Sequence, residues 1–244
     1  MMSFLTAMNT VSLTELDSVA LLNRIDNKYV LNRQQLELIL PVIQQNYRVL
    51  MIGNDKIFTY ENNYFDTKDL QFYYDHHNGY TNRMKVRSRK YVETNMSFFE
   101  IKKKENIDRT SKIREKIDQL ISIIDENKKR AVQQLSRKPI ADLSVILNNK
   151  FNRITFVNEE LYERITLDFN IHFSDELSQK QFADLYVLEI KQSKSNGRSI
   201  ITELLKKNNI REQRFSKYIF GVIALKENIR MNNFLPLIKK INKL

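Results

Sequence analysis

The stretch Asn82–Tyr91, NRMKVRSRKY, carries four cations at alternate positions: Arg83, Lys85, Arg87 and Arg89. Alternate residues of a β-strand point to the same face, so the stretch predicts a strand over Tyr80–Val92 with one row of long cationic side chains. Like charges in such a row repel one another unless an anion lies among them. The row therefore indicates a polyanion as a partner of this protein.

Other segments are also typical of strands, because apolar and polar residues alternate along them or because they are rich in aromatic residues. The clearest alternation is in Glu163–Phe173, where polar residues run from Arg164 to His172 between apolar ones. Further strands are predicted at Arg24–Leu31, Lys56–Asp66, Ser97–Glu105, Arg109–Ile117, Phe151–Val157 and Leu185–Gln192. Helical spacing of apolar residues predicts helices at Arg33–Gln45, Glu126–Leu135, Ile140–Lys150, Ser199–Lys207 and Ser216–Asn228.

Roughly eight strands in a meander, most with one apolar and one charged face, fit two architectures. One is an open sheet with a solvated face, which is the commoner arrangement. The other is a closed barrel whose charged residues line a wet lumen while its apolar residues face outward under helices. Arg and Lys dominate the polar faces, which favours the second. We therefore predict an α+β fold, an antiparallel eight-stranded β-barrel tunnel with a basic lumen and helices packed outside, as a single domain over residues 1–244.

Composition narrows the classes of function. The net charge is +11, from 40 Lys and Arg against 29 Asp and Glu. Such a charge suits an acidic partner, but scattered surface lysines would produce it equally well. The chain has no cysteine, which excludes disulfides, Cys-ligated zinc and thiol catalysis. No apolar run reaches about 18 residues, and the N-terminus has no cationic leader, so a soluble cytoplasmic protein is expected.

Cations on the polar faces of several predicted strands could together form one phosphate site. Arg forks match phosphate oxygens in pairs, and Lys supplies mobile point charges. Any one of these residues alone is adequately explained as a surface charge, whereas the whole set favours a binding site. The set comprises Lys28, Arg83, Lys85, Arg87, Arg89, Lys102, Lys104, Lys112, Arg114, Arg153, Arg164 and Lys191.

Two carboxylates accompany these cations. Glu100 and Glu189 each begin a Glu-Ile-Lys triplet that places the acid and the lysine on one face. A carboxylate in a phosphate site can hold Mg²⁺ or Mn²⁺, with phosphate oxygens completing the shell. Each Glu could instead be a counter-ion to its neighbours, and the residues alone leave both readings open. The adjacent pair His76 and His77 is a poor metal clamp, which leaves a loop role or a phosphate contact.

The chain resembles the VTC domain, the polyphosphate polymerase branch of the triphosphate tunnel metalloenzymes. The similar segments run in the family's order from about residue 20 to residue 225. They are RIDNKYVL, YFDTKDLQFYYDHHNGYTNRMKVRSRKY, FFEIKKK with SKIR, FNRITF, ERITLDFNI, VLEIKQS and RFSKYIFG. The resemblance implies a basic eight-stranded tunnel that holds a nucleoside triphosphate, ATP being expected, and a growing polyphosphate chain.

The resemblance also implies roles for single residues. Lys28 looks like the phosphate-binding lysine of the first strand, and Arg87 and Arg89 look like the paired tunnel arginines, with Arg83 as a third. Glu189 looks like the metal-binding carboxylate for Mn²⁺ or Mg²⁺, with Glu100 as a second. Further phosphate contacts are implied at Lys102, Lys112, Arg153 and Lys217.

Two departures from the family bear on function. The triphosphatase branch opens with Glu-x-Glu-x-Lys, whereas this chain has Arg24, Asp26 and Lys28, so fewer acids are present for fast two-metal hydrolysis. Eukaryotic polymerases add an inositol-phosphate-sensing domain and membrane helices, so coupled translocation would here need membrane partner subunits. The expected activity is a metal-dependent phosphotransferase that moves the γ-phosphoryl group of a nucleoside triphosphate onto polyphosphate.

Two alternatives stay open, a triphosphatase of the same tunnel class and a non-catalytic module that binds polyphosphate or RNA. DNA is not an expected partner. Aromatic residues are predicted mostly on the apolar strand faces, rather than between the cations as a base-stacking platform requires.

Overall fold

The computed structural model describes residues 2–18, 24–105, 110–136, 138–193 and 199–243. Within these residues, eleven strands form one sheet. The strands are β1 Thr10–Val11, β2 Arg24–Leu31, β3 Arg48–Leu50, β4 Phe58–Thr67, β5 Met84–Tyr91, β6 Met96–Lys104, β7 Thr110–Ile117, β8 Leu143–Asn158, β9 Glu163–Ser174, β10 Gln179–Phe182 and β11 Tyr186–Ser193. The predicted strand Arg109–Ile117 corresponds to β7, and its first residue lies outside the described residues.

The described helices connect these strands. They are α1 Met2–Thr6, α2 Leu13–Ser18, α3 Arg33–Asn46, α4 Gln71–His77, α5 Glu126–Leu135, α6 Ile200–Lys207, α7 Lys217–Leu225 and α8 Leu235–Ile241, with a 3₁₀ turn at Asn232–Phe234. Asn32 caps α3 through a capping box, and Ser199 and Ser216 cap α6 and α7 with their hydroxyls. Each of these helices is too short or too polar to span a bilayer.

Eight strands form the main path of the sheet, in the order β2-β11-β9-β8-β4-β5-β6-β7, and each neighbouring pair is antiparallel. This confirms the predicted α+β class and the antiparallel sheet. The predicted closed barrel is not confirmed, because among the described residues the path ends at β2 and β7 and these two strands do not pair. Hydrogen bonds from β1, β3 and β10 extend the sheet only at its margins.

The sheet nevertheless bends strongly around one face. Five inter-strand steps separate β2 from β5, which would be about 24 Å in a flat sheet. Lys28 of β2 and Lys85 of β5 instead line the same cavity, whose volume is about 900 Å³. The bend therefore brings β2 toward β5 across a concave surface.

Strand register defines the side chains on this concave surface. Residues directly opposite each other in antiparallel strands share a face. Such pairs can be followed from strand to strand, beginning with Lys28 opposite Glu189 and ending with Glu100 opposite Arg114, and they lie on one continuous surface. We call it the charged face. It carries Lys28, Glu189, Lys191, Asp168, Arg153, Lys85, Arg87, Arg89, Glu100, Lys102, Lys112 and Arg114.

The opposite face of the sheet is apolar and covered by helices. Leu36 and Ile39 of α3 and Ile201 of α6 pack with Tyr29 and Leu188 in the largest buried cluster. Farther along the path, Val132 of α5 packs on Phe99 and Val86. This half of the prediction, with charged residues on one face and apolar residues under helices on the other, agrees with the structure.

Helix α7 departs from the prediction that all helices pack outside. Val30 and Val187 share the face of Lys28 and Glu189, and both lie in one buried cluster with Tyr218 and Phe220 of α7. The helix approaches the sheet closely at Gly221, where an added Cβ would lie 2.5 Å from a side-chain carbon of Leu147. Thus α7 covers one end of the charged face.

Two local predictions are wrong. The predicted helix Ile140–Lys150 is instead largely part of β8, because its backbone hydrogen-bonds to β4 on one side and β9 on the other. The alternation of Glu163–Phe173 breaks at Asn170, whose φ of +50° marks a bulge where the β8–β9 register shifts. Beyond the bulge, Ile171 packs beneath α7.

Candidate functional site

Glu100 organises the part of the charged face formed by β5, β6 and β7. Its carboxylate lies 2.6 Å from Nη2 of Arg87, 2.7 Å from Nζ of Lys112 and 3.4 Å from Nε of Arg114. These partners are strand neighbours, since Arg87 and Arg114 both lie opposite Glu100. Only 2% of the Glu100 side chain is exposed. Burial alone would raise the pKa of Glu100, but Arg87, Arg89 and Lys112 hold it well below its usual range.

Arg89 lies beside this cluster and is held by uncharged partners. Its Nε donates to Oδ1 of Asn62 at 2.7 Å, and its guanidinium lies 5.1 Å from the ring centroid of Tyr60 and 5.9 Å from that of Tyr91. Burial lowers the pKa of Arg89, and the neighbouring Arg87 lowers it further. An arginine held without a carboxylate partner keeps its charge available to an anion.

The aromatic residues are placed differently from the prediction. Tyr60, Tyr64, Phe98 and Phe151 share the charged face, each with a guanidinium over its ring. These four are exceptions to the prediction that aromatic residues lie mostly on the apolar strand faces. Since the guanidiniums occupy the ring faces, these rings do not form an open base-stacking platform.

Glu189 organises the opposite end of the path, on β11. Lys28 lies 2.6 Å from one carboxylate oxygen, and Lys191 lies 3.3 Å from the other. Burial opposes ionisation, but Lys191, Lys28 and Arg153 outweigh it, so the pKa of Glu189 lies well below its usual range. The carboxylate is thus ionised and already has a cation on each oxygen.

Asp168 forms a third cluster that the sequence-based site did not include. Arg153 donates to both of its oxygens, at 2.5 Å and 2.8 Å, and Lys217 donates to the second. Arg153 comes from β8, Asp168 from β9 and Lys217 from the first turn of α7, so three elements meet here. Its position in register with Thr166 and Arg164 was the one signal in the sequence that could have found Asp168.

Lys217 is the cation of this cluster whose protonation is most sensitive to its surroundings. Burial lowers its pKa to about 8, and the attraction of Asp168 is partly offset by repulsion from Arg153. Ser216, the residue before it, caps α7 and so fixes the turn from which Lys217 projects. The charge of Lys217 therefore depends on pH just above neutrality.

Lys85 and Lys102 differ from these clusters because neither has an acid within ion-pair distance among the described residues, although Glu189 and Asp26 attract Lys102 from farther away. They lie directly opposite each other on β5 and β6. Burial and then the charge of Lys102 lower the pKa of Lys85 well below its usual range. Burial and then Lys28 lower that of Lys102. Two facing lysines that repel each other form a site prepared for an anion.

The cavity extends from Lys85 toward α7 and α8. Arg83, Lys104 and Arg214 line it together with Lys28 and Lys85. Arg83 precedes β5, rather than lying within it as predicted, and donates to the carbonyl of Tyr80 at 3.0 Å. His76 also lines the cavity, in a helix rather than a loop, which is compatible with the phosphate contact that the sequence left open for it. Arg214 and Ser216 line the cavity too, and no signal in the sequence indicated them.

Arg164 is a predicted phosphate contact that does not line the cavity. Its Nη2 donates to the carbonyl of Leu16 at 3.0 Å, which ties β9 to α2. Its predicted contact with phosphate remains a prediction.

The acids of the charged face fit a divalent cation only in part. In the described residues, no group of three His, Cys, Asp or Glu side chains could by itself hold a metal ion. Glu189 and Glu100 could each offer an oxygen only where an incoming group displaces a lysine or arginine from it. A metal held here would therefore depend on oxygens supplied by a bound phosphate chain and by water, an arrangement that suits Mg²⁺.

Taken together, the face can neutralise an extended polyanion. Facing cations, buried guanidiniums and a helix N-terminus converge on one concave surface, and none of these contacts requires a protein nucleophile. Such a surface can position phosphoryl groups in line and stabilise charge that develops as one is transferred.

The family model of the VTC domain matches residues 23–226. No curated protein matches the sequence. Among solved structures, one titled as a putative adenylate cyclase from Bacillus halodurans is 15% identical, with a TM-score of 0.51 over 84% of this chain and 98% of that one. A putative adenylyl cyclase from Hippeastrum, titled as having a dominant triphosphatase activity, is 12% identical with a TM-score of 0.48, over 84% of this chain and 98% of that one.

Proposed function

Since this chain belongs to the VTC-domain family, we propose that it transfers the γ-phosphoryl group of a nucleoside triphosphate to the end of a polyphosphate chain. One observation carries the proposal: Lys85, which lines the cavity, and Lys102 lie opposite each other on adjacent strands, and neither has an acid within ion-pair distance among the described residues, whereas the neighbouring carboxylates are already neutralised. A phosphate chain supplies the counter-charge that these lysines require.

The transferring group and its neighbours would contact five cations: Arg87, Arg89, Lys102, Arg153 and Lys217. The acceptor is an anionic phosphate oxygen, which needs no general base to remove a proton. The residues therefore act by holding donor and acceptor phosphates in line and by neutralising charge on the transferred group. Lys28, Arg83, Lys104, Lys112, Arg114, Arg164 and Lys191 would hold the remainder of the chain.

A divalent ion, Mn²⁺ or Mg²⁺, would be held by Glu189 together with phosphate oxygens, with Glu100 as a second carboxylate. The metal would supply further neutralisation of the phosphate oxygens when bound. Lys28 and Lys191 would then move from Glu189 onto the phosphates, which keeps every charge on this part of the face paired.

Product analysis tests the activity. The purified chain is incubated with ATP and Mn²⁺, and the phosphates are followed by ³¹P NMR, which separates internal chain phosphates from orthophosphate. The expected product is polymer, with loss of turnover by about 100-fold or more in Glu189→Gln because an electrostatic contact to the reacting group is removed. Glu61→Gln, which breaks a pair with Lys150 outside the described clusters, is the matched control and should retain activity.

Orthophosphate alone would replace the proposal with a triphosphatase activity. A third result, tight binding of polyphosphate without turnover, would indicate a non-catalytic binding module. One observation favours this second candidate function: Glu189, Glu100 and Asp168 each already have a cation within ion-pair distance. In that case, binding should survive Glu189→Gln, and neither protein should consume ATP.

A further inference from the structure

His76 is a cavity residue with an unused hydrogen-bonding atom. It lies in the last turn of α4 and lines the cavity with Arg83 and Lys85. One ring nitrogen donates to the main-chain carbonyl of Met84. The other, Nε2, is buried and has no hydrogen-bond partner among the described residues. Buried side-chain polar atoms are rarely left without a partner, so this atom calls for a ligand.

The surroundings of Nε2 keep the ring neutral. Burial lowers the pKa of His76 well below its usual range, and repulsion from Lys85, Arg83 and Lys102 lowers it further. A neutral ring that donates through its other nitrogen presents a lone pair at Nε2. The cavity that it lines also contains charged residues from β2, β6 and the segment before α7, namely Lys28, Asp26, Lys104, Glu212 and Arg214.

We propose that His76 contacts the bound phosphate chain and takes up one proton from solvent as the chain binds, so that Nε2 donates to a phosphate oxygen. This rests on the proposed function only in requiring that a phosphate chain occupies the space beside Lys85 and Lys102. Before binding, Nε2 can only accept; after protonation, both ring nitrogens donate.

The charges explain why binding drives this protonation. In the free cavity, three cations oppose a fourth positive charge. A phosphate chain carries several negative charges, reverses the local potential and favours the imidazolium. Since the complex then holds one more proton than the free protein, linkage requires phosphate affinity to rise as pH falls, by up to about tenfold per pH unit.

Histidine NMR tests this directly, because the chain contains only three histidines. The full chain is labelled with ¹⁵N-histidine, and its ring nitrogens are observed at pH 7.5 with and without tripolyphosphate. One ring should change from a neutral tautomer to the doubly protonated form on saturation. If tripolyphosphate binds and all three rings keep their protonation state, the inference is wrong while the proposed function stands. If tripolyphosphate does not bind at all, the proposed function fails as well.

Two variants add an independent readout by calorimetry. His76→Gln places a permanent amide donor near the position of Nε2, so it should bind tripolyphosphate without the wild-type pH slope. His76→Asn keeps a donor only near the Met84 carbonyl, so it should bind about tenfold more weakly and also lose the slope. His172→Asn, on β9 and outside the cavity lining, should behave as wild type. An unchanged slope in His76→Gln would overturn the inference.

Discussion

At the residue scale, three carboxylates of the charged face are each paired with cations. Glu100, Glu189 and Asp168 each lie within 2.8 Å of at least one Lys or Arg nitrogen. Alternation in the sequence identified the first two, since a polar residue two positions from a lysine shares its face. Alternation also placed Lys191 beside Glu189, but it could not identify partners such as Lys28 of Glu189 and Lys112 of Glu100, because these come from other strands.

We predict that Lys85 strengthens phosphate binding but lowers the stability of the folded protein. Lys85→Met keeps the length of the side chain but removes its repulsion with Lys102, so thermal unfolding should show a stabilisation of about 1 kcal/mol. Tripolyphosphate affinity should fall. Lys90→Met alters the opposite face of the same strand, and it should leave affinity unchanged. A less stable Lys85→Met protein that still binds would contradict the described repulsion.

Lys217 gives the activity an alkaline limit. Because its pKa lies at about 8, the fraction of charged Lys217 falls as pH rises through 8, and phosphate contacts weaken with it. The pH profile of kcat/KM, which reports the free enzyme, should fall with a midpoint near 8. In Lys217→Arg the charge persists at higher pH, so this fall should disappear. Retention of the wild-type fall in Lys217→Arg would assign it to another group.

At the scale of elements, helix and strand identities were largely predictable and packing was not. The segment Arg24–Leu31 coincides with β2, and Glu126–Leu135 coincides with α5, because periodicity and capping residues act locally. Ile140–Lys150 was predicted as a helix, since its apolar spacing fits either period. Pairing of β8 with strands on both sides decides in favour of the strand, and such partners leave no local signal.

We expect that the close packing of α7 against the sheet leaves no room for an added methyl group at Gly221. Ala normally stabilises the interior of a helix relative to Gly by about 0.5–1 kcal/mol. At Gly221, the added Cβ would lie 2.5 Å from Leu147 and 2.6 Å from Phe173. Gly221→Ala should therefore destabilise the protein by about 1–3 kcal/mol in urea unfolding. An increase in stability would show that α7 lies farther from β8 than described.

At the scale of the whole molecule, the sequence predicts the character of the two faces of the sheet but not whether the sheet closes into a barrel. Two-residue alternation correctly indicated one charged and one apolar face, because the period of a strand fixes it. Whether β2 and β7 close a barrel depends on sheet curvature, on bulges such as that at Asn170 and on the placement of α7. None of these features has a short-range signature in the sequence, so alternation alone could not decide between a closed barrel and an open sheet. In the described residues β2 and β7 do not pair, and the closed barrel is not confirmed.

The charge of the whole face predicts a strong dependence on salt. Many cations converge on the cavity, so tripolyphosphate affinity should fall steeply as NaCl increases, since salt screens and competes for such contacts. Titrations between about 0.05 and 0.5 M NaCl measure the slope. Lys102→Met should reduce the slope, whereas Lys90→Met should not. Affinity independent of salt would contradict an electrostatic site.

If the charged face is the phosphate site, a bound phosphate chain must lie on it, and its position can be observed directly. A crystal structure of the protein with tripolyphosphate and Mn²⁺ would locate both groups. We predict phosphate oxygens within hydrogen-bonding distance of Arg87, Arg89 and Lys102. Tripolyphosphate bound only at other surfaces, with no phosphate beside Lys85 and Lys102, would contradict this assignment of the phosphate site.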